Sequence, residues 1–168
     1  HTTVKVTAVD NLGLAGNTVT RMVEGINPTR FVADASFTRQ FDPANFLVMR
    51  VGVEHYFTDS FSILGLVGYA PKIEGNVGEP ALILDTLAKY SFGDAFVAGG
   101  FGGWITSGDS DNKLEDSDFD ILAEVGYKVV GEKDGINGSL FIEARLGVDE
   151  LESVTKYGRY GIGLRVQF

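Results

Sequence analysis

Tyr157-Gly158-Arg159-Tyr160-Gly161-Ile162-Gly163-Leu164-Arg165-Val166-Gln167-Phe168 is the stretch whose reading decides the fold. Tyr160, Ile162, Leu164, Val166 and Phe168 fall on every second position, with Gly161, Gly163, Arg165 and Gln167 between them. A period of two puts the two sets on opposite faces of an extended strand. It excludes an amphipathic helix, whose apolar residues recur three and four apart. A soluble domain has little reason to finish on such a strand with a bare Phe.

Upstream, the same unit recurs: a run of about ten alternating residues, then a turn of Gly, Asp, Asn, Ser or Pro. Arg30 to Phe41 sets Phe31, Ala33, Ala35, Phe37 and Phe41 against Asp34, Ser36, Thr38 and Gln40. Phe46 to Phe57 sets Leu47, Met49, Val51, Val53 and Phe57 against Arg50, Gly52, Glu54 and Tyr56. Phe61 to Ala70 is apolar on both faces, and Ala81 to Phe92 sets Leu82, Leu84, Thr86, Ala88 and Tyr90 against Asp85, Leu87 and Lys89. In Ala95 to Thr106, Gly99, Gly100, Gly102 and Gly103 lie among Phe96, Phe101 and Trp104, which makes room in a narrow barrel. Asp118 to Val130 and the run from Leu140 to Val148 repeat the alternation, and the terminal strand brings the count to about eight.

The final strand resembles the C-terminal strand of bacterial outer-membrane β-barrels, in which the terminal aromatic residue and the alternating apolar residues before it are read by the outer-membrane assembly machinery. The resemblance implies that Tyr160, Ile162, Leu164, Val166 and Phe168 form such an assembly signal here. It also implies outer-membrane lipid and that machinery as partners.

Composition is compatible with this. At 168 residues the chain suits one small barrel, and charges interrupt every hydrophobic run before the roughly 18 apolar residues of a membrane helix are reached. A membrane barrel escapes hydropathy because its lipid-facing and lumen-facing residues average out. The absence of cysteine fits an oxidising compartment, and a net charge of −9 with no basic stripe excludes nucleic acid as a partner.

Periodicity does not say which face is inside. A soluble lipocalin-like barrel turns its apolar face inward around a ligand; a membrane barrel turns it to lipid. Aromatic residues near strand ends (Phe31, Phe41, Phe57, Phe61, Tyr69, Tyr90, Phe92, Tyr127 and Tyr160) favour the membrane version, where such rings form girdles. Both termini then lie in the periplasm. Residues 42–45, 71–80, 107–117 and 149–156 form the outer connections, and 58–60, 93–94 and 131–138 the periplasmic turns. A short first outer loop and a long last periplasmic turn stand against this register.

The polar face supplies one charge constellation: Asp34, Arg50, Glu54, Asp85, Lys89, Asp120, Glu124, Lys128, Glu143, Arg145 and Arg165. In a narrow lumen each must find a partner or sit near a mouth, so the set reads as a network that plugs the barrel, with a gated ion path as the rival. Asp109, Ser110, Asp111, Asn112, Glu115, Asp116 and Asp118 lack the Gly and Glu placement of a calcium hand loop and read as an acidic loop. His55, near Asp59 and Ser60, is expected at the membrane interface rather than in catalysis. No catalytic group, metal or cofactor is expected.

Residues 1–28 lie outside the repeat. The string from Val4 to Thr20, VKVTAVDNLGLAGNTVT, resembles the closing hairpin of bacterial immunoglobulin-like repeats. That resemblance implies the end of an upstream periplasmic domain, joined by a linker to a barrel at 29–168. The expectation is therefore an all-β, closed, eight-stranded antiparallel up-and-down transmembrane β-barrel of the small OmpA/OmpX type in a bacterial outer membrane. It is expected to act without catalysis as an anchor or a surface recognition or adhesion scaffold, with a periplasmic or surface protein as partner. A small ion or solute channel and a soluble ligand-binding barrel are the alternatives.

Overall fold

A strand with one apolar and one polar face must bury one of them, and closing the sheet into a cylinder does so while abolishing its edges. The computed structural model has that form; it describes residues 2–9, 15–23, 28–41, 44–75, 79–106, 118–131, 135–148 and 158–168. β1 (Thr2–Val9) and β2 (Ala15–Val23) make a two-stranded antiparallel sheet, with Thr2 opposite Val23 and Thr7 opposite Thr18. The barrel is built from β3 (Thr29–Gln40), β4 (Ala44–Tyr56), β5 (Phe61–Ala70), β7 (Ala81–Phe92), β8 (Ala95–Thr106), β9 (Asp118–Gly131), β10 (Asn137–Gly147) and β11 (Arg159–Gln167); β6 (Lys72–Gly75) is a short rim strand. Each barrel strand pairs antiparallel with its neighbour, and β11 closes onto β3 from Arg159 opposite Gln40 to Gln167 opposite Val32. Phe168 completes the seam, exchanging two 3.0 Å backbone hydrogen bonds with Phe31.

The barrel turns its apolar face outward. Phe31, Leu164 and Ile142 are 65%, 58% and 56% exposed, whereas Arg50 and Asp120 on the inner face are 1% and 0% exposed. Among the described side chains of the eight barrel strands, no Asp, Glu or Lys points outward, and Arg39 at the rim is the one outward charge among Arg, Lys, Asp and Glu. This removes the soluble ligand-binding barrel, which needs the opposite arrangement. The named aromatic residues lie exposed toward both ends of the barrel, where Phe41 packs on Tyr160 (5.2 Å between centroids) and Phe57 on Phe61 (5.8 Å).

Two connections differ from the expectation. The supposed turn 131–138 is shorter, because Gly131 and Asn137 are paired strand residues and only 132–136 intervene. A bulge opposite Gly138 and Ser139 absorbs the mismatch, leaving Val129 and Val130 both outward, and Gly131 takes φ +90°, where a side chain would strike Ile136 and Asn137. Next to the short first outer connection, β6, which was not anticipated, pairs with the start of β4. Pro71 interrupts β5, and the chain resumes as β6 along β4 (Ala44 opposite Gly75), with a bulge at the crossing. The strands also begin earlier than the sequence suggests, β3 at Thr29, β4 at Ala44 and β10 at Asn137. Long connections gather at the end away from Pro28 and Phe168; at the near end, Thr58 Oγ1 caps the β4–β5 turn by accepting from the Phe61 amide (2.9 Å).

Candidate functional site

The lumen is where this chain concentrates its chemistry. At several positions the register sets a large inward side chain against a glycine on the neighbouring strand. Arg50 faces Gly68, Asp85 faces Gly102, Phe96 faces Gly126, and Phe141 faces Gly163. A Cβ built on any of these four glycines would run into the side chain opposite. Glycine, costly in a solvated sheet, is what lets a barrel this narrow hold arginines and aromatic rings.

At mid-depth Arg50 on β4 binds across the whole lumen. Its Nε donates to Asp34 Oδ1 (2.8 Å), and Nη1 donates to Asp85 Oδ2 (2.9 Å) and Glu143 Oε2 (2.5 Å). Nη2 reaches Glu124 Oε1 at 3.5 Å. Glu124 sits on β9, the strand diametrically opposite β4 in the ring. Arg165 ties the same carboxylates together from the seam, donating to Asp34 Oδ2 (2.8 Å) and Glu124 Oε2 (2.8 Å). The Phe141 ring lies beside both guanidinium groups, 4.7 Å from that of Arg165 and 5.7 Å from that of Arg50.

Toward the loop-rich end the lumen turns aromatic. Arg145 donates to Asp85 Oδ2 (2.6 Å) and Asp120 Oδ2 (3.0 Å), and Arg159 donates to Asp120 Oδ1 (3.3 Å). Both cations lie over Trp104, Arg159 at 4.4 Å and Arg145 at 5.5 Å from the ring centroid. Trp104 also meets Phe46 edge to face (5.1 Å) in a buried cluster with Val48, Ala70, Ala81 and Ile83. The opposite end is polar. Glu54 accepts from Lys89 (2.7 Å), Ser62 and Gln167 (2.8 Å), and Gln167 accepts in turn from Asn137 (2.9 Å). Above this floor lies a cavity of about 340 Å³ between Tyr56, Ser91, Phe96, Lys128 and Ser139.

Asp34, Arg50, Glu54, Asp85, Lys89, Asp120, Glu124, Glu143, Arg145 and Arg165 are all buried in the lumen and all ion-paired. Lys128 stands apart at the rim, where it pairs with Asp94 (2.8 Å). The sequence reading missed Arg159, which sits next to a long connection, although its odd-numbered phase with Gly161, Gly163 and Arg165 could have placed it inside. It also missed the inward apolar set around Trp104. His55 points outward, hydrogen-bonded to Thr29 (2.8 Å) and edge-on to Phe57 (4.9 Å), rather than to Ser60 or Asp59. Tyr160, Ile162, Leu164, Val166 and Phe168 all point outward. Residues 109–116 of the acidic loop lie outside the described residues, as does the side chain of Asp118. Among the described residues no cluster of His, Asp and Glu is arranged to hold a metal ion.

No family model and no curated protein sequence matches this chain. Among solved structures it is similar to the N-terminal β-barrel domain of Pseudomonas aeruginosa OprF (14% identity, TM-score 0.50), covering 84% of this chain and 98% of that one. It is similar too to the outer membrane protein OprG of Pseudomonas aeruginosa (10% identity, TM-score 0.50), covering 84% of this chain and 96% of that one. At such identities the likeness is one of fold, that of a closed eight-stranded antiparallel barrel as found in outer-membrane proteins.

Proposed function

We propose that this barrel is a non-enzymatic anchor of a bacterial outer membrane, closed through its lumen and holding its outer loops at the cell surface as a recognition or adhesion scaffold. The observation that carries this reading is the cross-section at Arg50. One guanidinium is bonded to carboxylates on β3, β7, β9 and β10, so the section that an ion would have to traverse is filled by paired charges. Trp104 and Phe46 fill the next layer. The apolar exterior, on which Arg39 at the rim is the one outward charge among the described side chains of the eight barrel strands, supports lipid as its surroundings, since a soluble protein with such a surface would associate.

On this reading the terminal end faces the periplasm and the longer connections, including the acidic 107–117, face outward to meet a surface partner. Residues 1–28 are then the tail of an upstream immunoglobulin-like module. The outward Tyr160, Ile162, Leu164, Val166 and the seam-closing Phe168 serve as the signal for the assembly machinery. The test has two steps: gel mobility of the detergent-folded chain before and after boiling, then conductance in a planar bilayer. A heat-shifted band with no conductance is expected. Stable ion steps that change on neutralising Arg50 or Glu143 would replace the anchor with a small channel, and detergent-free monodispersity would end the membrane reading.

A further inference from the structure

The cavity at the terminal end is left over by the anchor reading, which needs only a closed barrel. It is a blind vestibule, open at the mouth and stopped below by the Glu54 network and the arginine layer. Its volume of about 340 Å³ is at the small end of ligand sites, roughly 300–1,000 Å³. That suits one or two small rings rather than a polymer.

Its floor is fixed in advance. Gln167, Asn137 and Lys89 are each at least nine-tenths buried and locked to one another through Glu54. The charges are already matched: Lys89 with Glu54 at 2.7 Å, and Lys128 with Asp94 at 2.8 Å. A free ion entering here would have to break an existing pair, so the vestibule offers little to a net charge. The uncommitted groups are neutral. The hydroxyls of Ser60, Ser91 and Ser139 have no side-chain partner among the described residues, and Phe96 supplies an apolar wall. Hydroxyls both donate and accept, so they are best satisfied by a ligand that does the same at several points.

We propose that this vestibule binds a neutral polyhydroxylated molecule, a mono- or disaccharide, through Ser91, Ser139 and Asn137 with a ring face against Phe96. Because the lumen below is filled, the site retains its ligand rather than passing it on. Binding through a few hydrogen bonds in a wet mouth places Kd in about the millimolar range.

The test is a titration of the full chain, folded in dodecylphosphocholine (whose headgroup carries no sugar), with glucose and maltose, followed by backbone amide NMR. Glutamate and lysine serve as charged controls. The expected result is saturable shifts at Ser91, Ser139 and Asn137 with either sugar and none with the charged solutes. Ser139→Leu, which fills the vestibule, should abolish them while the heat-shifted band persists; Ser91→Ala, which folds more surely, should weaken them several-fold. Flat titrations with both sugars would overturn the proposal. So would a stronger response to glutamate or lysine, which would make the vestibule an ion site.

Discussion

The two ends of the lumen are built from the same strands yet finished in opposite ways. At the loop-rich end Trp104, Phe46 and Ile83 pack to near-complete burial, with Arg145 and Arg159 laid over the indole. At the terminal end the same alternation delivers Ser91, Ser139, Asn137 and Gln167, and the space stays hollow. Strand number therefore does not decide whether a small barrel is solid. The size of each inward side chain decides, together with whether its cross-strand neighbour is glycine. Between the ends sits a layer of a third kind, in which charge rather than volume closes the section.

That middle layer is the one whose loss should cost most. Arg50→Leu leaves Asp34, Asp85 and Glu143 buried without their shared cation, and breaking a buried ion pair from one side costs about 3–5 kcal/mol. A large drop in the urea midpoint is expected, read from the fluorescence of Trp104, the single tryptophan. A midpoint equal to that of the unaltered chain would mean that the network is dispensable and that the apolar layers alone hold the barrel.

The two ends can next be set against each other ring for ring. Trp104→Ala removes an indole from a closed cluster, where about 3–5 kcal/mol is the usual cost of such a truncation. Phe96→Ala removes a ring that already borders the hollow mouth, where water can enter the space, so its cost should fall at or below the lower limit of that range. Loss of the heat-shifted gel band with rising urea measures both. Equal costs would show that the terminal end is as tightly closed as the other.

The outer face was legible from alternation alone, because every outward-facing position repeats the same demand. Strands β5, β7 and β8 begin and end where their apolar periodicity does. The inner face was legible only for its charges. In β8 the glycines at 99, 100, 102 and 103 occupy both faces, so nothing local sets the phase that buries Trp104; the register with β7, which puts Trp104 beside Ile83, sets it. β6 was hidden by Pro71, which reads as a stop yet here only bends the path along β4. The vestibule leaves no motif at all, since it is defined by side chains too small to fill the space.

Glycine–side-chain pairing gives a smaller and sharper test. Asp85 Oδ1 rests where a Cβ on Gly102 would lie, and this oxygen has no hydrogen-bond partner, so it holds its place by fit rather than by bonding. Gly102→Ala should displace the Asp85 carboxylate from Arg50 and Arg145, with a cost in the overpacking range of about 1–3 kcal/mol. Gly103→Ala, one residue on and facing outward, meets only the Ile105 side chain at 3.7 Å and should leave the urea midpoint unmoved. If both variants unfold alike, the inner face has no special need of glycine at this position.

The smallest effect belongs to the rim. Lys128 and Asp94 pair at 2.8 Å, but their side chains are 28% and 49% exposed, and an ion pair in that setting contributes about 0–1 kcal/mol. Lys128→Met should therefore leave the urea midpoint nearly unchanged, while Lys89→Met, which strips Glu54 of a buried partner at 2.7 Å, should lower it clearly. The two lysines line one cavity and differ chiefly in depth, so the ratio of their effects locates the boundary between the wet vestibule and the dry lumen. A Lys128→Met variant as damaged as Lys89→Met would move that boundary out to the rim and leave the vestibule too dry to admit a soluble ligand.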